Sequence, residues 1–346
     1  MSEEQKAYPF AAIVGQDDLK HALILSAIDP SIGGVLALGD RGTGKTTAVR
    51  ALAAALPAMK AIEGCAYSCD PESRANGCEI CQSPTGTQKA IEIPVPVVDL
   101  PLGVTQDRLL GSLDIERALV DGSKEFEPGL LADANRGFLY VDEVNLLEDH
   151  LVDVLLDVSA SGWNVIEREG LSIRHPANFV LVGSGNPEEG ELRPQLLDRF
   201  GLSVDVETPT DIKKRVEIIR RREAFEADPA GFVRKWKRET TKLRNRISRA
   251  QDAINVVSVD DNNLSLIAEI CINLGTDGLR GELTLIKAAR ADAAWRGDTS
   301  VSAHHIRTMA PLALSHRLRK DPLDDSRSSV RVERTLEEVF SSRNAA

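Results

Sequence analysis

Eight consecutive residues carry the clearest chemical signal in this chain. Gly39-Asp40-Arg41-Gly42-Thr43-Gly44-Lys45-Thr46 fit the spacing G-x-x-x-x-G-K-[ST] at every position. Glycines let a backbone fold round a phosphate with its amide N–H groups turned inward. A helix starting at the end of such a loop adds partial positive charge. Lys45 is placed to reach the outer phosphates of a nucleotide, and the Thr46 hydroxyl to ligate Mg2+. Further along, Phe138-Leu139-Tyr140-Val141 is an apolar run that ends in Asp142-Glu143. At a strand end, Asp142 can hold Mg2+ directly or through water, and Glu143 can polarise the water that attacks a γ-phosphate. Taken alone the pair could equally be two acids in a solvated loop; beside a phosphate loop it gains meaning.

Three more polar residues stand where such a site would need them. Asn186 follows the apolar run Val180-Leu181-Val182 and could orient the attacking water, or simply open a turn before Pro187. Arg199 could lend its fixed charge to a neighbouring subunit as a finger, or pair with Asp198 or Glu191. Arg280 begins a helical segment and could reach a nucleotide from a second domain, or be an ordinary first-turn arginine. Four of the five cysteines follow the spacing C-x3-C-x8-C-x2-C: Cys65, Cys69, Cys78 and Cys81. In a segment with little core of its own, four thiolates could hold a structural Zn2+. An Fe–S cluster, a thiol redox switch and plain reduced cysteines stay open beside it.

The elements that must position these residues are legible from pattern. Gly34 to Leu38 reads as a strand before the phosphate loop, and Thr47 to Leu56 as a helix stopped by Pro57. Strands are expected at 95–100, 137–142, 178–184 and 202–206, and a hairpin at 163–175. A helix is expected over 10–29, led in by Ile13-Val14-Gly15-Gln16, a short one at 113–119 and another at 149–159. Residues 57–94 read as an irregular insertion. Strands alternating with helices predict an α/β fold with a parallel sheet covered on both faces. Beyond Thr210 the pattern is helical, over 211–227, 229–251, 260–274, 281–295 and 302–315, with one more short helix at 332–340. His304, His305 and His316 read as surface residues.

Bulk properties exclude several function classes. The 346 residues carry a net charge of −11, which opposes loose binding to nucleic acid or anionic membrane. The charge is uneven: residues 211–249 hold 14 Lys/Arg against 6 Asp/Glu, either a solvated helical face or a docking surface for an acidic partner. Aromatics are only 4%, so the core must be aliphatic. No apolar run approaches the roughly 18 residues of a membrane span, and the polar start lacks the apolar stretch of a signal peptide. The expectation is a soluble cytoplasmic protein.

Together, Gly39–Thr46, Asp142-Glu143, Asn186, Arg199 and Arg280 resemble the AAA+ ATPases. Longer stretches narrow this to the I-subunit family of magnesium chelatase. They include FAAIVGQ at 10–16, GGVLALGDRGTGKT at 33–46, VDLPLG at 98–103, LDIE at 113–116 and FEPGLL at 126–131. YVDEVNLLEDH at 140–150, GSGNPEEGELRPQLLDRFG at 183–201, DGLRGEL at 277–283 and ALSHRL at 313–318 complete the set. The resemblance implies an AAA+ core with a five-stranded parallel sheet over 1–210, with the insertion at 57–94. It further implies a helical connector over 211–255, a helical lid over 256–325 and a tail over 326–346. It implies hexameric rings with ATP and Mg2+ at subunit interfaces, working with a D subunit and a porphyrin-holding H subunit. The activity implied is an ATP-driven ligase forming nitrogen–metal bonds, which inserts Mg2+ into protoporphyrin IX for (bacterio)chlorophyll synthesis. Lys45 and Thr46 become phosphate and Mg2+ ligands, and Asp142 and Glu143 the metal-binding and water-activating pair. Asn186 becomes the first sensor, Arg199 the finger in trans and Arg280 the second sensor, while Ile13, Val14 and Gly15 line the adenine pocket. A chaperone-like ATPase for another metal insertion and a nucleic-acid translocase remain as alternatives. The mixed charge of the 163–175 hairpin and the acidic balance of the chain speak against the translocase.

Overall fold

Five short apolar runs stack side by side into one parallel sheet. They are β1 (Val35–Leu38), β2 (Val97–Leu100), β3 (Phe138–Val141), β4 (Val180–Gly185) and β5 (Leu202–Asp205). Their order across the sheet is β5-β1-β4-β3-β2. The computed structural model describes residues 7–40, 42–73, 76–82, 89–113, 126–168, 171–186, 190, 192–318 and 328–345. Every residue of β3 and β4 is buried, as expected of parallel strands covered on both faces. Alternation then sorts them. Val35, Ala37, Phe138, Tyr140, Val180 and Val182 face one helical layer, which includes Asp17–Ile28 and Lys45–Ala55. Leu36, Leu139, Val141 and Leu181 face the other, with Asp149–Ser161 and Phe200.

The register decides what meets at the sheet's carboxyl edge. Leu38 stands opposite Gly185, and Gly183 opposite Val141. The phosphate loop, Asn186 and the Asp142-Glu143 pair therefore leave the sheet on one edge, where ligands of open α/β sheets collect.

The C-terminal half is helical where the periodicity predicts it: Ile212–Ala227, Pro229–Ala253, Asp261–Leu274, Arg280–Arg296 and Ala303–Leu314. The starts are written in the caps. Asp211, Asp228 and Asp260 each accept a backbone N–H of the first turn. The apolar faces of these helices continue the first layer's core, through Ile247, Ala250, Ile270, Leu285, Ala288 and Met309. Ser328–Ala345 closes the chain as a longer helix than the one predicted at 332–340.

Several other expectations change. The helix expected over 10–29 is broken: a 3-10 turn at Phe10–Ala12 is followed by a helix only from Asp17. Gly15 and Gln16 lie in the left-handed region, with φ of 71° and 52°, and turn the chain between them. The insertion is not irregular throughout: in its described part, Met59–Ile62 pairs antiparallel with Ala90–Ile93. Leu113 ends a short strand, Gly111–Leu113, paired with Phe126–Pro128, while 114–119 of the helix expected there lie outside the described residues. His305 is buried, not exposed, and its Nδ1 accepts the Ser302 amide at 2.9 Å in a capping box; His316 is also drawn in, its Nε2 donating to the Phe200 carbonyl at 2.9 Å.

Candidate functional site

The phosphate loop is held open by its own backbone. Gly39 has φ of 144°, and a Cβ there would stand 2.1 Å from the Val206 carbonyl oxygen. Gly44 caps helix Lys45–Ala55 in the left-handed region, with φ of 86°. The first amides of that helix have no intrahelical acceptor and open into the loop's mouth. Lys45 Nζ donates to the carbonyls of Gly39 and Asp40, at 2.5 and 3.0 Å, which poises the ammonium inside the loop. Arg41 lies outside the described residues.

One chain of hydrogen bonds joins the loop to the acidic strand end. Thr46 Oγ1 and Tyr140 Oη are 2.8 Å apart, and Tyr140 donates to Asp142 Oδ1 at 3.1 Å. Ser184 Oγ donates to the same carboxylate oxygen and accepts the Glu143 amide at 3.2 Å. Burial, with the Asp142 charge in support, holds the Tyr140 phenol above its usual pKa, so it remains a donor. Glu143 itself has φ of 52°. That conformation costs a non-glycine residue roughly 1–3 kcal/mol, a strain of the kind found at functional sites. Thr46 and Asp142 are thus one hydroxyl apart, a hard-oxygen pair suited to a hydrated Mg2+.

A cavity of about 650 Å3 collects these groups. Its walls include Ile13, Val14, Gln16, Gly39, Gly42 to Thr47, Asp142, Glu143 and Ser184 to Asn186. Apolar Ile13 and Val14 at one end and amides, ammonium and carboxylates at the other match a purine nucleotide with its phosphates and Mg2+. Neither Gly15 nor Asp40 is part of the lining, and Arg199 and Arg280 also stay outside it. Arg280 pairs with Asp198, the residue before Arg199. Asp198 is held a second time by Arg317, at 2.5 Å, whose guanidinium also donates to the Phe200 carbonyl at 2.9 Å.

Sequence reasoning missed several wall residues. Tyr8, Ile218 and Arg222 line the same cavity. Helix Ile212–Ala227 brings the last two, and Arg221 ties that helix to the entry loop by donating to the Ala12 carbonyl at 2.9 Å. Tyr8 packs edge-on to Phe225 with ring centroids 5.1 Å apart. Tyr140 was missed as well; the signal that could have found it is that it shares a strand face with Asp142 two residues on.

Comparison with known proteins bears on the same residues. A family model described as "Magnesium chelatase, subunit ChlI" matches residues 114–195, and one described as "AAA lid domain" matches 264–339. The magnesium-chelatase 38 kDa subunit of Acidiphilium rubrum is 61% identical over 336 residues, covering 96% of this chain and 97% of the relative. The subunit of the same name from Cereibacter sphaeroides is also 61% identical, covering 97% and 99%. This chain belongs to the magnesium-chelatase 38 kDa subunit family, the family of subunit I. A family member of known structure is 56% identical and superposes with a TM-score of 0.54, covering 96% of this chain and 99% of that one. It is described as a model of the complex between subunits BchI and BchD of magnesium chelatase, based on a cryo-EM reconstruction. The fold of the family is therefore an AAA+ core with a helical lid.

Loss of the loop ammonium gives a direct check. Lys45→Ala removes a charged donor to phosphate, a hydrogen bond of about 1.5–3 kcal/mol. ATP affinity should fall roughly ten- to a hundredfold, read by equilibrium titration with a fluorescent nucleotide. An unchanged dissociation constant would contradict the phosphate-loop role.

Proposed function

We propose that this chain is the ATP-hydrolysing subunit of magnesium chelatase, and that it drives insertion of Mg2+ into protoporphyrin IX held on a separate large subunit. In this reading residues 1–210 are the nucleotide-binding core, 211–255 the connector and 256–325 the lid. Like subunits form a ring, with ATP between neighbours, and the D subunit is a partner, as the BchI–BchD complex suggests. Among the described residues no helix is long and apolar enough to cross a membrane, in keeping with work in the cytoplasm.

The observation that carries the hydrolytic part is the hydrogen-bond chain Thr46–Tyr140–Asp142–Ser184–Glu143 along the cavity wall. The loop amides and Lys45 bind the phosphates. Thr46 and Asp142 would hold the Mg2+ that accompanies ATP, which would supply charge neutralisation on the phosphates. Tyr140 and Ser184 both donate to Oδ1 of Asp142 and so fix the carboxylate. Glu143 takes the proton of the attacking water, and Asn186 orients that water. Arg199 acts on the neighbour's nucleotide, and Arg280 reports nucleotide state to the lid.

The substrate follows from family membership at 61% identity over nearly the whole chain. Mg2+ sheds its water reluctantly, so forcing it into a macrocycle is slow and a motor has work to do. A translocase is disfavoured by the hairpin Trp163–Arg168/Leu171–Pro176. Its Arg174 guanidinium lies 4.1 Å over the Trp163 ring and its His175 is buried, so neither is presented to a nucleic acid. The test combines this chain with D and H subunits, ATP, Mg2+ and protoporphyrin and follows metallation by fluorescence. Mg-protoporphyrin should form only when all components are present. Failure with D and H subunits that work with another I subunit would overturn the reading.

A further inference from the structure

The nucleotide site leaves one cluster of chemistry unused. Cys65, Cys69, Cys78 and Cys81 converge in the insertion, with all four sulfur atoms within 4.8 Å of one another. Cys65 and Cys81 sulfurs are 3.5 Å apart, and Cys65 and Cys78 sulfurs 3.9 Å apart. None of the four is in a disulfide. Cys69, Cys78 and Cys81 are buried and Cys65 is half-buried.

The packing around them explains why a bond-forming group is needed. Among the described residues, the insertion's own core cluster is Ile62 and these cysteines, edged by Tyr67. A core of that size cannot offset the entropy of ordering such a segment, which is why small units use metals or disulfides. Yet the backbone here is arranged with care. The Tyr67 amide donates to Cys65 Sγ at 3.4 Å and the Cys78 amide to Cys69 Sγ at 3.2 Å. Amide donors to sulfur favour thiolate over thiol, as in the surroundings of metal-bound cysteines.

Sulfur spacing selects the occupant. Tetrahedral Zn2+ with Zn–S bonds of about 2.3 Å sets its sulfurs about 3.8 Å apart. The Cys65–Cys81 and Cys65–Cys78 separations bracket that value. A four-iron cluster puts iron–iron edges between its thiolates and would spread them beyond the observed limit. Disulfides need sulfur contacts of about 2.05 Å and pair the cysteines two by two, whereas here Cys65 approaches both Cys78 and Cys81. A closed, buried set of four soft donors with no open position is a structural site.

We propose that Cys65, Cys69, Cys78 and Cys81 bind one structural Zn2+ as a tetrathiolate. The ion's work is to hold the Cys65–Cys69 turn against the nucleotide-binding sheet. Tyr67 within that turn stacks on His175 of the hairpin, with ring centroids 4.5 Å apart and an interplanar angle of 18°. The Tyr67 carbonyl accepts from Asn135 at 2.7 Å. Arg136 donates to the carbonyls of Lys60 and Ser68 and pairs with Asp70 at 3.2 Å. Asn135 and Arg136 lead directly into β3, whose far end carries Asp142. The zinc therefore staples the insertion and the hairpin to the amino end of the strand that presents the catalytic acids.

The test uses the full chain, purified under reducing conditions without chelator, and measures metal by plasma mass spectrometry. One zinc per chain is expected, retained in Cys271→Ser and lost in Cys78→Ser and Cys81→Ser. If those two variants fail to fold, wild-type protein reconstituted with Co2+ keeps the question open to measurement. The intense visible bands and the thiolate charge-transfer absorption of a tetrahedral cobalt–sulfur site are then expected. Metal-free protein that gives no such Co2+ spectrum overturns the proposal, whether its four thiols titrate freely or are paired as disulfides. Stoichiometric iron with a cluster absorption overturns it as well.

Discussion

Glu143→Gln leaves nucleotide bound and stops its hydrolysis. Glutamine keeps the shape and the hydrogen-bonding length of the side chain but cannot take a proton from water. The backbone that places residue 143 does not depend on the carboxylate: its amide is held by Ser184 Oγ at 3.2 Å, and it opens the 3-10 turn Val144–Leu146. The phosphate contacts come from a different strand end altogether, the loop after β1. The turnover rate should therefore drop roughly 10²–10⁴-fold, the usual contribution of a positioned general base, while ATP affinity stays within about twofold, well under the 1.4 kcal/mol that a tenfold change needs. Phosphate release and equilibrium nucleotide titration on the same preparation separate the two quantities. A variant that still turns over at the parent rate would move water activation to another residue, with Asp142 the nearest carboxylate.

The residues that made this site legible are those whose neighbours in sequence are also their partners in space. Gly39 to Thr46 are flanked by the strand and the helix they join, so motif and context occupy one stretch. Asp142 and Glu143 end an apolar run, and the end of a buried strand has only one edge to open on. Helix starts after Asp211, Asp228 and Asp260 were readable because each cap bonds within three residues of itself. What was not legible comes from afar. Tyr8, Ile218 and Arg222 reach the cavity because the helix Ile212–Ala227 folds back over the entry loop, a contact no local pattern encodes. Ser184 is a small polar residue in a buried strand, and only the pairing of β3 with β4 reveals that it braces Asp142. The hairpin closing the insertion joins segments separated by the whole cysteine loop, and a single glycine at position 15 hid the break in the first helix. Polar spacing showed that the four cysteines could meet; their sulfur separations show how closely they do.

Arg199 is the residue whose effect should be largest and whose place is least like an ordinary site residue. It lies outside the cavity of its own chain, yet everything beside it is fixed. Asp198 is gripped by Arg280 and Arg317. The next residue, Phe200, is fully buried, and its carbonyl accepts from both Arg317 and His316, each at 2.9 Å. Burial beside Arg317 pushes His316 down to about 3, so the ring is neutral and its Nε2–H is the donor. Gly201 then passes so near Ile32 that a Cβ would stand 2.0 Å from its carbonyl oxygen. Arg199 thus rides on a rigid corner clamped by Arg280 and Arg317, as the role proposed for it on a neighbour's nucleotide requires. Arg199→Ala should keep ATP affinity and lose hydrolysis by roughly 10³–10⁵-fold. The decisive measurement mixes two inactive proteins, Arg199→Ala and Glu143→Gln. An interface that takes Glu143 from the first and Arg199 from the second is complete, so random mixing in equal amounts restores about a quarter of the sites. If each variant is inactive alone and the mixture stays inactive, the arginine does not act across the interface; if the mixture hydrolyses ATP, no arrangement confined to one subunit can account for it.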